Sequence, residues 1–283
     1  MKTQGTVMYT LDEGFVPAGR VVDEADAVTY DVMRIIDGVP LFLAAHLARV
    51  DHALEALAEP TRAEHIEAVL PEFIRRNGGT ALNTNLKILA GGSLGLALGL
   101  IPHAYPEDQM YREGVQLVTV PMVRENPELK IWNHSYKQAI ADALEKSGAH
   151  EALLVDARGH ITEGSRSNVF AVRGDRILTP GSGVLPGITR LYVNEVIRDE
   201  GIELVETDLP ADGLHEMDGL FITGTSPKVL PARQVDDVVL DPENPLVRRV
   251  MAAFDRLMAA DLEATRNRLS GLEKEESTNE NQA

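Results

Sequence analysis

The sequence predicts a two-domain α+β protein, and three observations carry that prediction. The chain has 283 residues, enough for two compact domains. Its hydrophobic pattern switches between a period of two and a spacing of three and four in both halves. Between the halves, Pro121 to Pro127 is polar and bounded by prolines, as a linker would be. The expected division is a smaller N-terminal α+β domain over 1–120, a linker over 121–127, a larger domain over 128–265 and a disordered tail over 266–283.

Taken in order, Val7–Thr10 reads as a strand, and Val28–Ile36 as a second that ends at an Asp37-Gly38 turn. Leu41–Leu43 is expected to return alongside it as a hairpin. Leu47, Val50, Leu54 and Leu57 then recur at helical spacing, predicting a helix over about Ala45–Ala58. Thr61 and Glu64 have the spacing of a capping box for a second helix, which Pro71 should bend and Asn77-Gly78-Gly79 should end. Strands are expected near Asn85–Leu89, Leu94–Leu100 and Val115–Val120. In the second half a helix is predicted from Ser135 to Lys146. Paired strands follow at Leu153–Val155 with His160–Thr162 and at Val169–Val172 with Arg176–Leu178. Gly187 should open a helix reaching Glu200, followed by strands at Ile202–Val205 and Leu220–Thr223. Val247, Val250, Met251, Phe254, Leu257, Met258 and Leu262 predict a final helix. From Glu273 the chain holds four Glu against one Lys and no aromatic residue, the composition of a segment that buries nothing.

Composition narrows the function classes. There is no Cys, which excludes disulfides, thiolate metal sites and a Cys nucleophile. Net charge is −17, so a nucleic-acid or anionic-membrane surface is not expected, since either needs a basic face. No apolar run follows Met1, and the most apolar stretch, Ile88 to Ile101, is broken by Gly and Ser, so neither a signal peptide nor a membrane span is expected. A cytoplasmic protein fits these features. The eight His form no zinc-binding pattern on a helix, so no metal is expected.

Five features carry chemistry. Glu163, in Ile161–Phe170, lies between apolar runs, so strands on both sides would bury it, and a buried carboxylate needs a dedicated partner. Gly187-Ile188-Thr189-Arg190 starts a helix whose free N–H groups suit an anion. Thr223-Gly224-Thr225-Ser226 offers hydroxyls and close backbone approach, and Arg49 offers a cation. Lys130, flanked by Leu129, Ile131 and Trp132, is placed to lose its proton by desolvation and act as a nucleophilic amine. Singly these are an ordinary carboxylate, helix start, turn, solvated arginine and snorkelling lysine. Together they match one ligand: an aldehyde for the lysine, a phosphate for the helix start, and a basic ring nitrogen for the glutamate. That ligand is pyridoxal 5′-phosphate.

The order of these pieces resembles the class IV, fold-type IV pyridoxal-phosphate enzymes, which comprise branched-chain aminotransferases, D-amino acid aminotransferases and aminodeoxychorismate lyases. The resemblance runs from Tyr30 to about Val235. It rests on AHLAR (Ala45–Arg49), EALLVDARGHITEGSRSNVF (Glu151–Phe170), Thr179-Pro180, LPGITR (Leu185–Arg190) and TGTS (Thr223–Ser226). It implies a two-domain fold like that of D-amino acid aminotransferase, with the cofactor between the domains, and a homodimer. It also implies the roles. Lys130, which stands 21 positions before Glu151-Ala152 and three before Asn133, would hold the cofactor as a Schiff base and move the substrate's Cα proton. Lys137 falls on a predicted helix and is taken as solvated. Glu163 would meet the pyridine nitrogen, with Asn168 in support. Arg49, Gly187, Ile188, Thr189 and Thr225 would hold the phosphate. Tyr30, Arg34, Thr225 and Ser226 would meet the substrate.

Two stretches depart from the family's pattern. Val22–Val28 stands where an aromatic, glycine-rich segment is usual, and Leu89-Ala90-Gly91 replaces a Thr-Arg-Gly. Cofactor binding is therefore expected, while the substrate stays open. The leading expectation is an aminotransferase acting between an amino acid, of branched-chain or D type, and a 2-oxo acid in amino acid metabolism. The alternatives are a lyase on the same scaffold and a cofactor-binding homologue without turnover. The threonine run of TGTS leans toward transamination.

Overall fold

The computed structural model describes residues 1, 3–20, 22–123 and 134–280, with backbone alone at 134–137 and 270–280. Its contacts divide it into two units. The first is built from Met1–His103 and the C-terminal helix from Met258 onward, and the second lies between Ala104 and Leu257.

The first unit holds strands β1 (Gln4–Thr10), β2 (Gly14–Pro17), β3 (Thr29–Ile36) and β4 (Val39–Pro40), helices α1 (Leu43–Ala56) and α2 (Ala63–Arg76), and strands β5 (Thr84–Gly91) and β6 (Gly95–Ile101). They form a six-stranded antiparallel sheet in the order β2-β1-β6-β5-β3-β4. Along β3, alternate residues turn to opposite faces, as strand geometry requires. Met33 and Ile35, with Leu86, Ile88 and Ala90 of β5, pack on Leu47, Val50 and Leu54 of α1 and on Ile66, Leu70 and Phe73 of α2. Each of the larger of these side chains stabilises the fold by roughly 1.5–3 kcal/mol.

Several local expectations change here. The return strand is only Val39–Pro40, because Phe42 adopts φ 54° and Leu43 already begins α1. The expected Thr61–Glu64 capping box does not form. Instead Asp51 of α1 accepts from the N–H groups of Arg62 and Ala63, at 2.7 and 3.0 Å, satisfying donors at the start of α2. Pro71 lies inside α2 without ending it.

The second unit contains α3 (Asp108–Glu113), β7 (Val115–Pro121), α4 (His134–Ser147), β8 (Glu151–Val155), β9 (His160–Gly164), β10 (Asn168–Arg173), β11 (Arg176–Thr179), α5 (Ile188–Asp199), β12 (Glu203–Glu206), β13 (Leu209–Pro210), β14 (Gly219–Gly224), β15 (Lys228–Val235) and β16 (Val238–Val239). Nine of the strands run in the order β12-β11-β10-β14-β15-β7-β8-β9-β13, with β16 added beside β15. Pairing is parallel at β11–β12, β15–β7 and β7–β8 and antiparallel elsewhere. At its centre the rings of Phe170 and Phe221 stack 5.0 Å apart.

The domain boundary shifts from the expected 120/121 to His103/Ala104. The reason is register: Val115–Pro121 pairs with β8 and β15, so it belongs to the second sheet. Most of the expected linker, 124–127, lies outside the described residues. The final helix α6 (Pro245–Glu280) also runs through 266–280, where a disordered tail was expected. Leu262, Thr265 and Leu269 continue its inward stripe at helical spacing, and Leu269 joins the core of the first unit.

Candidate active site

Glu163 sits on β9 opposite Leu154 and is 1% exposed. A carboxylate buried there without partners would cost several kcal/mol. Its Oε2 accepts from the Leu185 N–H at 3.1 Å. The carbonyl of the same Leu185 accepts from Asn168 Nδ2 at 2.9 Å. One acid and one amide thus hold the two sides of the Leu185-Pro186-Gly187 segment, which delivers the chain into α5. Asn168 starts β10 opposite Thr223 of β14, and α5 packs on β14.

Gly187 is the N-cap of α5, and no side chain caps it. Its φ of −64° suits any residue, so the need for glycine is spatial. A Cβ built there would stand 2.2 Å from Asn168 Oδ1. The helix start therefore leaves N–H groups at a point where its own backbone approaches closely, beside the buried Ile188 and Thr189. Gly164 is similar, since a Cβ there would meet Ser167 Oγ at 2.0 Å. Two hydroxyl oxygens in this region, Ser167 Oγ and Thr223 Oγ1, are buried with no hydrogen-bond partner among the described residues. Thr225 and Ser226 occupy the turn between β14 and β15, which Gly224 and Lys228 close. Gly224 stands close to Arg166, its Cβ position 3.3 Å from the Arg166 carbonyl oxygen.

Two residues that the sequence motifs contain without a role of their own hold this region in shape. Glu151, nearly fully buried on β8, accepts at Oε1 from Ser165 Oγ (2.9 Å) and the Arg166 N–H (2.6 Å), pinning the turn between β9 and β10. Arg190 donates to the Pro180 carbonyl at 2.8 Å. Burial pushes its guanidinium below the ordinary value, while Glu206 and then Glu163 act in the opposite direction.

Tyr30, Arg34 and Arg49 belong to the first unit. Arg49 on α1 grips Asp31 of β3 with two bonds of 2.8 Å, from Nε to Oδ2 and from Nη2 to Oδ1. His46 Nδ1 lies 2.9 Å from the same Oδ1. Asp31 is 1% exposed, and removing one member of such a buried pair typically costs about 3–5 kcal/mol. Arg49 is therefore a fixed cation and not the solvated residue that a lone helical arginine suggests. Asp31 and His46 escaped the sequence reading because a carboxylate in an alternating strand looks solvent-facing until the register puts it under a helix. Tyr30 and Arg34 lie on β3, one residue out of phase with Asp31, and so on the opposite face. Lys130 and Asn133 lie outside the described residues, as does the side chain of Lys137, although α4 carries its backbone.

An acidic partner for a ring nitrogen, an uncapped helix start with glycine clearance and unpartnered hydroxyls fit the polar ends of a phosphorylated pyridine. A cavity of about 280 Å³ elsewhere in the second unit, lined by Tyr111, Lys228 and Asp255, contains none of these residues.

The profile of the amino-transferase class IV family matches residues 29–235. The chain is 30% identical over 254 residues to a protein of Methanocaldococcus jannaschii named as a candidate branched-chain-amino-acid aminotransferase, covering 79% of this chain and 88% of that one. Its fold is similar to that of the Escherichia coli branched-chain amino acid aminotransferase, with TM-score 0.77, 21% identity and coverage of 90% and 95%. It is also similar to an aminotransferase from Brucella abortus bound to the cofactor PLP, with TM-score 0.75, 25% identity and coverage of 90% and 100%.

Proposed function

The chain belongs to the class IV aminotransferases, and on that premise we propose that it transfers the amino group of a branched-chain amino acid to a 2-oxo acid with pyridoxal 5′-phosphate. The observation that carries this reading is the buried Glu163 carboxylate, tied to the segment that feeds the uncapped start of α5. When bound, the cofactor supplies an aldehyde that receives the amino group and a ring that draws electrons from the reacting carbon. Glu163 would keep a proton on the ring nitrogen, because a charged acceptor in a dry site favours the cationic partner. Gly187, Ile188, Thr189 and Thr225, with Arg49, would hold the phosphate through backbone N–H groups, hydroxyls and a charge-assisted bond. Lys130 would be the covalent attachment point and then the base that removes the substrate's Cα proton. Tyr30, Arg34 and Ser226 would orient the substrate. The names of the relatives support the branched-chain substrate over a D-amino acid. No described helix is long and apolar enough to cross a membrane, which is compatible with the cytoplasmic homodimer that we also propose.

Two variants test the assignment. Lys130→Ala should abolish the absorbance at about 400 nm that the cofactor gains on attachment, and Lys137→Ala should keep it. The reverse result would overturn the lysine assignment. Leucine, isoleucine or valine should bleach that band in the unaltered protein and leave the aminated cofactor. Pyruvate release from aminodeoxychorismate without such bleaching would identify a lyase instead.

A further inference from the structure

The turn between β14 and β15 carries Thr225 and Ser226, and it closes on a residue with an uncommon backbone. Lys228, paired with Gly224 across the turn, has φ 55°. Short hairpin loops often close through a left-handed residue, but glycine usually fills that place, because a Cβ there crowds the following carbonyl. A lysine keeps the conformation only where its surroundings hold it.

Those surroundings come from α3 and α6. Tyr111 of α3 donates from Oη to the Pro227 carbonyl at 3.1 Å, directly before the left-handed residue. Lys228 Nζ lies 3.1 Å from Asp255 Oδ1 of α6 and 5.7 Å from the centre of the Tyr111 ring. Tyr111 is itself anchored, since Arg248 of α6 donates to its carbonyl at 2.6 Å. The ion pair is part exposed, with the Asp255 side chain at 61%, so it holds weakly and the phenol bond is the stronger brace. A cavity of about 280 Å³ borders Tyr111, Lys228 and Asp255, so directional contacts brace the turn where packing does not fill the space. At the other end of the turn, Gly224 meets the Arg166 carbonyl, and Glu151 fixes the Arg166 N–H. The turn is thus held from both ends, by the β9–β10 turn and by α3.

We infer that Tyr111 is a positioning residue for the substrate carboxylate: its hydroxyl, through Pro227, holds Lys228 left-handed and so aims the backbone of Thr225 and Ser226. A turn grips an anion largely with successive backbone N–H groups, so its direction decides how well it binds. The inference deepens the transaminase reading and rests on it for the roles of Thr225 and Ser226.

Binding is read apart from turnover, so the two ideas fail separately. The probe is 4-methylpentanoate, titrated by calorimetry into the purified protein supplied with pyridoxal phosphate. Tyr111→Phe, which removes only the hydroxyl, should weaken binding about fivefold, the scale of one neutral hydrogen bond. Asp255→Asn should weaken it in the same direction by less, and it carries the test alone if Tyr111→Phe does not fold. Lys228→Gly takes the left-handed conformation without strain, so in that background either substitution should cost less than about twofold. In the Tyr111→Phe protein, the leucine concentration that half-saturates bleaching of the absorbance band should rise with the same factor. The limiting rate should stay within about twofold, since the carboxylate is held equally before and during reaction. Unchanged binding in the Tyr111 and Asp255 variants, or an equal cost with glycine at 228, would overturn the inference. A limiting rate that falls as far as the affinity would also overturn it, as would failure of the acid to bind the unaltered protein. A protein that shows the binding changes while leucine leaves its absorbance band untouched would instead refute the transaminase reading alone.

Discussion

At Gly187 a single methyl group would collide with Asn168 Oδ1 at 2.2 Å, although the backbone there tolerates any residue. Gly187→Ala should therefore displace the Asn168 amide, break its bond to Leu185 and cost about 1–3 kcal/mol in denaturant unfolding. Asn168→Ala removes the same bond by another route. The double variant should consequently be less destabilised than the sum of the two, and strict additivity would show that the glycine acts elsewhere. At this scale the sequence was partly legible. Glu163 could be recognised because apolar runs flank it, and burial turns a flanked carboxylate into a demand for a partner. Asp31 could not, since it owes its burial to neighbours distant in the chain, Arg49 and His46.

Elements were read well where their own periodicity decided them. The helix starting after Gly187 and the strand holding Tyr30 follow from local pattern. Boundaries set by another element were not. The start of α2 is satisfied by Asp51 from α1, and the start of α1 by Asp261 of α6, whose Oδ2 accepts from the Phe42 N–H at 2.6 Å. Burial pushes the Asp261 carboxyl above its ordinary value, with the Phe42 bond partly opposing it. The end of α6 is the clearest case, because a charged sequence conceals a helix held by few inward residues. Leu269→Ala should destabilise the protein by about 2 kcal/mol, at the low end of large-to-small changes since Leu269 is at the edge of the core. Urea unfolding checks this, and a midpoint indistinguishable from the unaltered protein would restore the free tail. The nearby Arg268–Glu67 pair is half exposed and should contribute less than about 1 kcal/mol.

For the molecule as a whole, the acid side of the stability profile should carry the mark of His150. Burial depresses its pKa below 6.5, Glu151 opposes that and Arg166 adds to it. The folded state then binds fewer protons than the unfolded one as pH falls through 6.5, so stability is present above that value and lost below it. Thermal melts between about pH 8 and pH 5 should show this loss, and His150→Gln should flatten it. An equal slope in the variant would assign the loss to other groups. The domain boundary belongs to the same scale. Val115–Pro121 is a strand by its own pattern, but its sheet was settled only by pairing with β8 and β15. The sequence by itself determined most of the elements, the class IV motifs and the candidacy of Glu163 and of the helix start at Gly187, because each rests on residues close in the chain. Only the tertiary structure decided that Glu163 and Asn168 grasp the same Leu185 and that Asp31 holds Arg49. Burial and charge pairing depend on which strands and turns meet, and no local pattern encodes that.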